Sequence, residues 1–543
     1  MQAYMAIATK TRASKQAYQS ITQLTINGFE TPFVKHLDPK NRWVVLANQI
    51  PWDQIVGVYL RQLNNDVMGA SSINPRVVLG AIMVKHLKNL SDADTILEIQ
   101  ENVYLQFFLG YSSFTPEPPF DPSLFVEIRK RLGDEQINAI NEKIVSISVQ
   151  RALDNQERNK PSSPSSTSSP QPQSDPLPVV EKINDSQDVP KPATDSCPVE
   201  PEQPRTHHGR LIVDATACPQ DISYPTDINL LNEAREKSLE LIDILYLNHP
   251  DFGNVGFQKP RTYRDVARKD YLNIAKRRKK SSQIIRRGIR EQLQYLNRNI
   301  GHIHSLLDGY ADKEFPLNQR ERTYLWVIQE LYRQQYQMWI ERKHRIEDRI
   351  VSIHQPHVRP IVRGKEHANV EFGAKIQVSL VDGYAFLDHL SWDAYNEGTL
   401  LMDSIEQYKR RYGYYPAEVL ADQIYCNRVN RSKLKEVEIK LLSKPLGRPP
   451  AMKVEHVRPG ERNPIEGKFG QAKVSYGMNR IKARLKITSQ SWIASIVLVL
   501  NLVKLAGQAP YYLYSDFRVW IRMLLINSIS QLWFILRRGL LFQ

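Results

Sequence analysis

Cysteine is scarce. Only Cys197, Cys218 and Cys426 occur in 543 residues. They are odd in number and far apart, which argues against a disulfide framework and fits a reducing compartment. None stands in a CxxC. The pairs His207/His208, His302/His304 and His354/His357 lack a cysteine at zinc spacing, which argues against a structural zinc centre. The N-terminus lacks the charged-then-apolar pattern of a signal peptide. Long apolar runs are few as well. "IASIVLVLNLVKLA" (493–506) is apolar on every side but short for a bilayer, so a buried core helix is expected there. The last apolar stretch, 519–543, is interrupted by Arg522 and by Arg537/Arg538, so a packing helix or an atypical tail is expected rather than an anchor.

What is present is positive charge on a globular background. Hydrophobic residues make up 41% and aromatics 9%, enough for packed cores, and the length allows two to four domains. The net charge of +15 and pI near 9.4 point to a polyanionic partner, nucleic acid or an anionic membrane surface.

The sharpest boundary is residues 160–204, rich in Pro and Ser, whose three lysines against seven acids give a local charge opposite to that of the whole chain. Such a segment buries too little apolar surface to fold and is expected to be a linker, spanning 151–208. Before it, residues 1–150 read as helices. "NPRVVLGAIMVKHLKNLSDADTILEIQEN" breaks at "NLSD", where Ser91 or Asp92 can cap a new helix, and "FDPSLFVEIRKRLG" carries an Asp121 cap, Pro122 at the first helical position and a stop at Gly133. Short helices followed by a basic one suit a DNA reader of helix-turn-helix type; the alternative is a plain helical bundle with a charged outer face.

After the linker the pattern changes. "RLIVDATACP" is a β-branched apolar run ending in an acid, expected to be a buried strand. A basic helical stretch follows over about 226–350, including "AKRRKKSSQIIRRGIR" and one long amphipathic helix, "RTYLWVIQELYRQQYQMWIERKHRIEDRI". Asp382-Gly383 between two β-rich runs signals a hairpin. A helix ("GTLLMDSIEQYKRRYG"), a strand ("AEVLAD"), a helix ("NRSKLKEVE") and a strand ("IKLLSK") come next, an α/β order with a mixed sheet.

Three acids stand out by position: Asp214 at the end of the first strand, Asp422 at the end of "EVLAD", and Glu466 in "NPIEGKFGQAK". Such carboxylates can converge on one cavity although 422 − 214 = 208 residues separate the first two. Three carboxylates suit hard divalent cations, and two such ions about 3.5–4 Å apart can clamp a phosphodiester at its attacking and leaving oxygens. Arg462 and Lys473 fall on the helical face of Glu466, where they can hold phosphate oxygens, or offset repulsion among the acids. A strand-end Asp can equally be a turn former or helix cap, and one carboxylate between two cations can be an ordinary solvated face.

Together "IVDATACPQDISYPTDINLLNEARE", "EFGAKIQVSLVDGY", "YNEGTLL", "VLADQIYCNRVN" and "ERNPIEGKFGQAKVSYGMNRIKARL" resemble bacterial insertion-sequence transposases of the DDE type, in particular the insertion-sequence-five-like group. "NPRVVLGAIMVKHLKNLSDADTILEIQENVYLQFFLG" resembles the InsH-type helical domain of the same proteins. The resemblance covers 41–150 and 209 to about 507. It implies an α/β, RNase-H-like mixed-sheet catalytic domain over 209–508 with a helical insertion and an all-α N-terminal domain that binds DNA; the apolar tail over 509–543 is unusual beside it. It further implies two Mg²⁺ or Mn²⁺ ions held by Asp214, Asp422 and Glu466. The family's final motif runs Tyr, two residues, Arg, three residues, Glu, six residues, Lys; Arg462, Glu466 and Lys473 match it, while Pro459 stands at the tyrosine position. Only 466 − 422 = 44 residues separate the last two acids, so the insertion falls after the first strand instead. The implied partners are double-stranded DNA, at terminal repeats and target, and a second copy of the chain in a synaptic complex, in the cytoplasm at the nucleoid. Lys276, Arg277, Arg278, Lys279, Lys280, Arg286, Arg287 and Arg290 are candidates for backbone contacts; a solvated charged helix is the alternative.

Overall fold

The structure is a computed structural model that describes residues 37–62, 73–158, 207–310, 314–365, 368–443 and 460–507. The Pro/Ser-rich segment and the C-terminal tail lie outside the described residues, as does Pro459.

The N-terminal part is helical, with α1 (Arg42–Gln49), α2 (Trp52–Leu60), α3 (Pro75–Lys88), α4 (Asp92–Glu101), α5 (Val103–Leu109), α6 (Leu124–Arg131) and α7 (Asp134–Arg158). The expected break holds: Asn89 turns left-handed after α3, and Ser91 caps α4 by accepting from the Asp94 N–H. The start of α6 differs from expectation. Asp121 accepts from the Ser123 N–H, but the helix begins only at Leu124, because Asp121 and Pro122 close a turn first. The basic face of α6 is also not free. Arg129 is buried and forms two 2.8 Å bonds to Asp92, which Lys85 also meets at 2.9 Å, and both cations stack on Trp492.

The second part is built on a sheet. β1 (Arg210–Pro219) leads into α8 (Asp227–Leu247), α9 (Arg264–Ala275), α10 (Ser282–Asp308) and α11 (Gln319–Glu341). These four helices bury their own cluster, including Leu231, Leu241, Leu296 and Leu331, so the insertion has a separate core. The single long helix expected over 322–350 stops earlier: α11 ends where Arg342 turns left-handed at φ 53°, and the chain returns to the sheet through a loop. The chain continues through β2 (Arg359–Lys365), β3 (Ala368–Val381), β4 (Tyr384–Ser391), α12 (Leu401–Tyr412), β5 (Glu418–Leu420), α13 (Arg428–Glu436), β6 (Lys440–Leu442), α14 (Asn463–Ser475) and α15 (Lys486–Leu505).

β3 is the hub. It pairs antiparallel with β1, with β2 along its first half and with β4 along its second. β5 joins β1 in parallel, and β6 joins β5 in parallel. The β3–β4 hairpin turns at Asp382 and Gly383, φ 49° and 76°, the paired left-handed conformations that an Asp-Gly turn supplies. An antiparallel meander followed by parallel βα units is the RNase-H-like mixed sheet.

The apolar run at 493–506 belongs to the longer helix α15, which by length and composition is long enough to cross a membrane, contrary to the short span expected. Its surroundings account for its composition. Ile493, Val497 and Leu500 are enclosed between the sheet on one side and α3, α6 and α7 on the other. Asn501, fully buried there, accepts from the Ala385 N–H at 2.8 Å and donates to Asn141 at 2.8 Å, joining β4 to α7. The two folded parts thus share one core across this helix.

A second bond between them is ionic. Arg411 of α12 meets Glu142 of α7 at 2.6 Å and Asp388 of β4 at 3.0 Å, and Asp388 is almost wholly buried. Burial raises the Asp388 carboxyl above its usual range, with Arg411 opposing that rise. Arg411→Leu strands a buried charge, a change that costs about 3–5 kcal/mol. The expected outcome is an apparent melting temperature several degrees lower, with most of the loss recovered in Arg411→Leu/Asp388→Leu.

Candidate active site

The parallel register of β1 and β5 positions the first two acids. Arg210 pairs with Glu418 and Ile212 with Leu420, an offset of 418 − 210 = 208, and the same offset carries Asp214 to Asp422. The two aspartates therefore lie abreast just where the two strands stop pairing. Asp214 is not at the end of its strand, as expected, but fifth of ten residues, with β1 running on beside β3 to Pro219. Asp422 lies two residues past β5, where its side chain accepts from the Gln423 N–H at 2.7 Å and caps a short 3-10 turn. Crevices at the carboxyl ends of parallel strands, where neighbours diverge, are the usual ligand sites of open α/β sheets.

α14 forms the opposite wall. Ile465 and Ala472, seven residues apart, are buried toward the core. Turned the other way, Glu466, Phe469, Gly470 and Lys473 line an open cavity of about 700 Å³ together with Arg462, Asp214 and Asp422. All five residues that the sequence singles out around the triad share this cavity. Lys375 of β3 and Glu397 line it as well. Sequence reasoning passed over both: Glu397 lies inside the "YNEGTLL" motif, but nothing local marks it as facing a lysine 22 residues earlier. Glu397 meets Lys375 at 2.8 Å, and Lys375 also donates to the Tyr395 carbonyl at 2.9 Å.

Four carboxylates and three cations face one another here, and Arg462 joins two of the acids. Its guanidinium meets Asp214 at 2.9 Å and Asp422 at 3.0 Å. Burial pushes the Asp214 carboxyl up to about 6; Arg462 and a hydrogen bond from the Ala215 N–H pull it down, and the charges of Glu397 and Asp422 push it up again. Among the described residues no three His, Cys, Asp or Glu side chains are gathered closely enough to grip a metal as they stand. The donor set nevertheless suits a hard cation, being all carboxylate, and the space between two of its members is bridged by a positive side chain.

The basic cluster lies elsewhere. Lys276, Arg277, Arg278, Lys279 and Lys280 are exposed on the turn from α9 to α10, outside the cavity lining. Arg287 and Arg290 are exposed on the first turns of α10, with Arg287 meeting Glu291 at 2.8 Å. Arg286 differs from its neighbours: it donates to the Trp339 carbonyl at 2.8 Å and lies over the Trp339 ring, fastening α10 to α11.

The folded state holds the Asp214 proton near pH 6, whereas an unfolded chain releases it near 3.9. Between those values the native state binds more protons, so this carboxyl lowers stability as pH rises from about 4 to about 6. Asp214→Asn removes that cost. In metal-free buffer at pH 7.5 the variant is expected to be more stable than the wild type by about 3 kcal/mol, by the usual conversion of pKa shift into free energy. The gap should narrow as pH falls through 6 and close near 4, as read by thermal melting across pH; a less stable variant at pH 7.5 refutes the account.

Comparison with known proteins gives two family matches. Residues 419–503, which carry Asp422, α14 and most of α15, match the family described as "Transposase DDE domain", and residues 32–131 match "Transposase domain (DUF772)". The chain is 32% identical over 120 residues to "Uncharacterized protein ORF8 in nfe locus" of Rhizobium meliloti, an alignment covering 22% of this chain and 54% of that protein. The chain thus spans about half the length of the curated relative it matches. No solved structure matches it significantly. A helical transposase domain followed by a DDE domain on an RNase-H-like sheet is consistent with a DDE transposase of insertion sequences.

Proposed function

We propose that the protein is the transposase of an insertion sequence of the insertion-sequence-five-like group, acting on the terminal repeats of its own element. The observation that carries the reading is the alignment of Asp214 beside Asp422, joined by Arg462 and faced by Glu466 and Lys473 across one cavity. In this reading Asp214, Asp422 and Glu466 hold two divalent ions, Mg²⁺ or Mn²⁺. Such ions, when bound, activate the attacking oxygen and stabilise the leaving oxygen of an in-line displacement at phosphorus.

The chain's own groups supply the rest. Arg462 and Lys473 bind non-bridging phosphate oxygens, Arg462 through its planar donor fork. Gly470, without a side chain, leaves room on the α14 wall for a sugar–phosphate backbone. First a water, then the 3′-OH that the first cut frees, acts as nucleophile on the same phosphate-binding floor. The reaction is hydrolysis at the element end followed by strand transfer into target DNA, with no covalent protein–DNA link. The exposed lysines and arginines from Lys276 to Lys280, with Arg287 and Arg290, make sequence-independent backbone contacts. Arg286 is held by Trp339 and serves packing. Pairing two element ends calls for at least a dimer, and the working place of such an enzyme is the cytoplasm, at the nucleoid.

The test is cleavage of a labelled duplex carrying the element's terminal repeat, with Mg²⁺ or Mn²⁺. Metal-dependent nicking at the repeat end is expected. It should be lost on chelation and reduced at least about a thousandfold in Asp422→Asn, the order expected when a group acting on the reacting centre is removed, while repeat binding persists. Binding without cleavage in both proteins points to a DNA-binding relative that has lost its chemistry. Cutting of branched or hybrid substrates without preference for the repeat points to a structural nuclease.

A further inference from the structure

The two aspartates are not vacant. A guanidinium has five N–H donors in one plane, and Arg462 spends one nitrogen on each carboxylate, at 2.9 Å and 3.0 Å. Its third nitrogen, Nε, is buried and has no hydrogen-bond partner. An unmet buried donor on a charged group is costly, so the guanidinium is well compensated in charge but incompletely bonded. A phosphate bound beside it would offer two or three oxygens with the same charge complementarity, arranged for bidentate bonding. The carboxylates would then lose their cation and stand as an uncompensated pair, with Glu397 adding to the repulsion that already acts on Asp214.

We infer that Arg462 is the resident counter-ion of Asp214 and Asp422, occupying the carboxylate pair in the free protein and leaving it for a DNA phosphate, so that divalent ions load only when DNA is present. The inference rests on the metal-dependent reading above and adds an order of events to it. While the guanidinium bridges the pair, an incoming dication meets a positive charge within about 3 Å of both of its ligands. It must displace a charge-assisted hydrogen bond to Asp214 and an ion pair to Asp422 before it can bind. When a phosphate takes the guanidinium, the same two carboxylates attract the dication instead. Because coupling between two binding events is reciprocal, metal also tightens DNA binding by the same factor. Arg462 acts here through the acids, as a positioning residue; Asp422, half exposed at its side chain, gives the exchange an open route.

The experiment measures Mn²⁺ binding directly, by the loss of the free-ion electron paramagnetic resonance signal, on the full chain with and without a duplex carrying the terminal repeat. The wild type is expected to bind Mn²⁺ at least tenfold more weakly alone than with duplex. Arg462→Gln is expected to bind Mn²⁺ without DNA at least tenfold more tightly than the free wild type, with no further gain on adding duplex. Arg462→Lys, which keeps a cation but not the planar fork, should fall between the two. Thermal melting of each variant in metal-free buffer shows that the fold is retained. Equal Mn²⁺ affinity in wild type and Arg462→Gln, with binding abolished by Asp422→Asn, overturns the counter-ion role and leaves the metal site standing. Absence of Mn²⁺ binding by wild type and both Arg462 variants, with and without duplex, overturns both together.

Discussion

An apolar helix with no polar face has to be enclosed on every side, and α15 imposes that demand on the rest of the molecule. The sheet covers one flank and α3, α6 and α7 cover the other. Two polar clusters drawn into this interior have specific partners. Asn501 satisfies the Ala385 backbone and Asn141, and Asp92 is held by Lys85 and Arg129 above the Trp492 ring. The N-terminal helices are therefore a wall of the core that carries the sheet. The same helix supports α14, whose buried Ile465 and Ala472 join this cluster while its other face lines the cavity. Rigidity in the interior is what lets one side of α14 present Glu466 and Lys473 at a fixed height above the sheet.

The cavity, by contrast, is held in tension. Carboxylates abreast at the end of a strand pair repel, and burial makes their charge costlier still, as the elevated Asp214 shows. Arg462 relieves this at two points, and Lys375 does the same for Glu397. Stability and function pull in opposite directions at such a site, which is where a fold otherwise built of matched pairs concentrates its unfavourable charge.

How far this was legible in the sequence differs by element. β1 and the Asp-Gly hairpin are carried by local signals, a β-branched run and two residues that tolerate a left-handed backbone. The face of α14 follows from helical spacing alone: 462, 466 and 473 were legible as one stripe because nothing but periodicity was needed. That Asp214 and Asp422 stand abreast depends on a parallel register between distant strands; their strand-end positions allowed convergence, and family resemblance favoured it over the turn-former reading. β2 escaped notice because "RPIVRGK", with a proline and two arginines, reads as a loop and becomes a strand only by pairing with β3. The end of α11 carries no glycine or proline; Arg342 adopts the left-handed turn without a local cue. Lys375 and Glu397 were missed for a similar reason, since an ion pair between different elements leaves no periodic trace. Arg286 looked like its neighbours in a basic run, and only the Trp339 ring beneath it sets it apart.

The charged residues lining the cavity are scattered along the chain in the order 214, 375, 397, 422, 462, 466 and 473. Asp214 leaves the ribosome 466 − 214 = 252 residues ahead of Glu466, which at roughly 5–20 residues per second is a lag of roughly 10 to 50 seconds. Throughout that interval the nascent chain has Asp214 but no opposite wall, and α15, around which the core closes, emerges later still. The cavity is thus incomplete until almost all of the sheet domain has been made, and a chain broken off before α14 lacks Glu466 and Lys473.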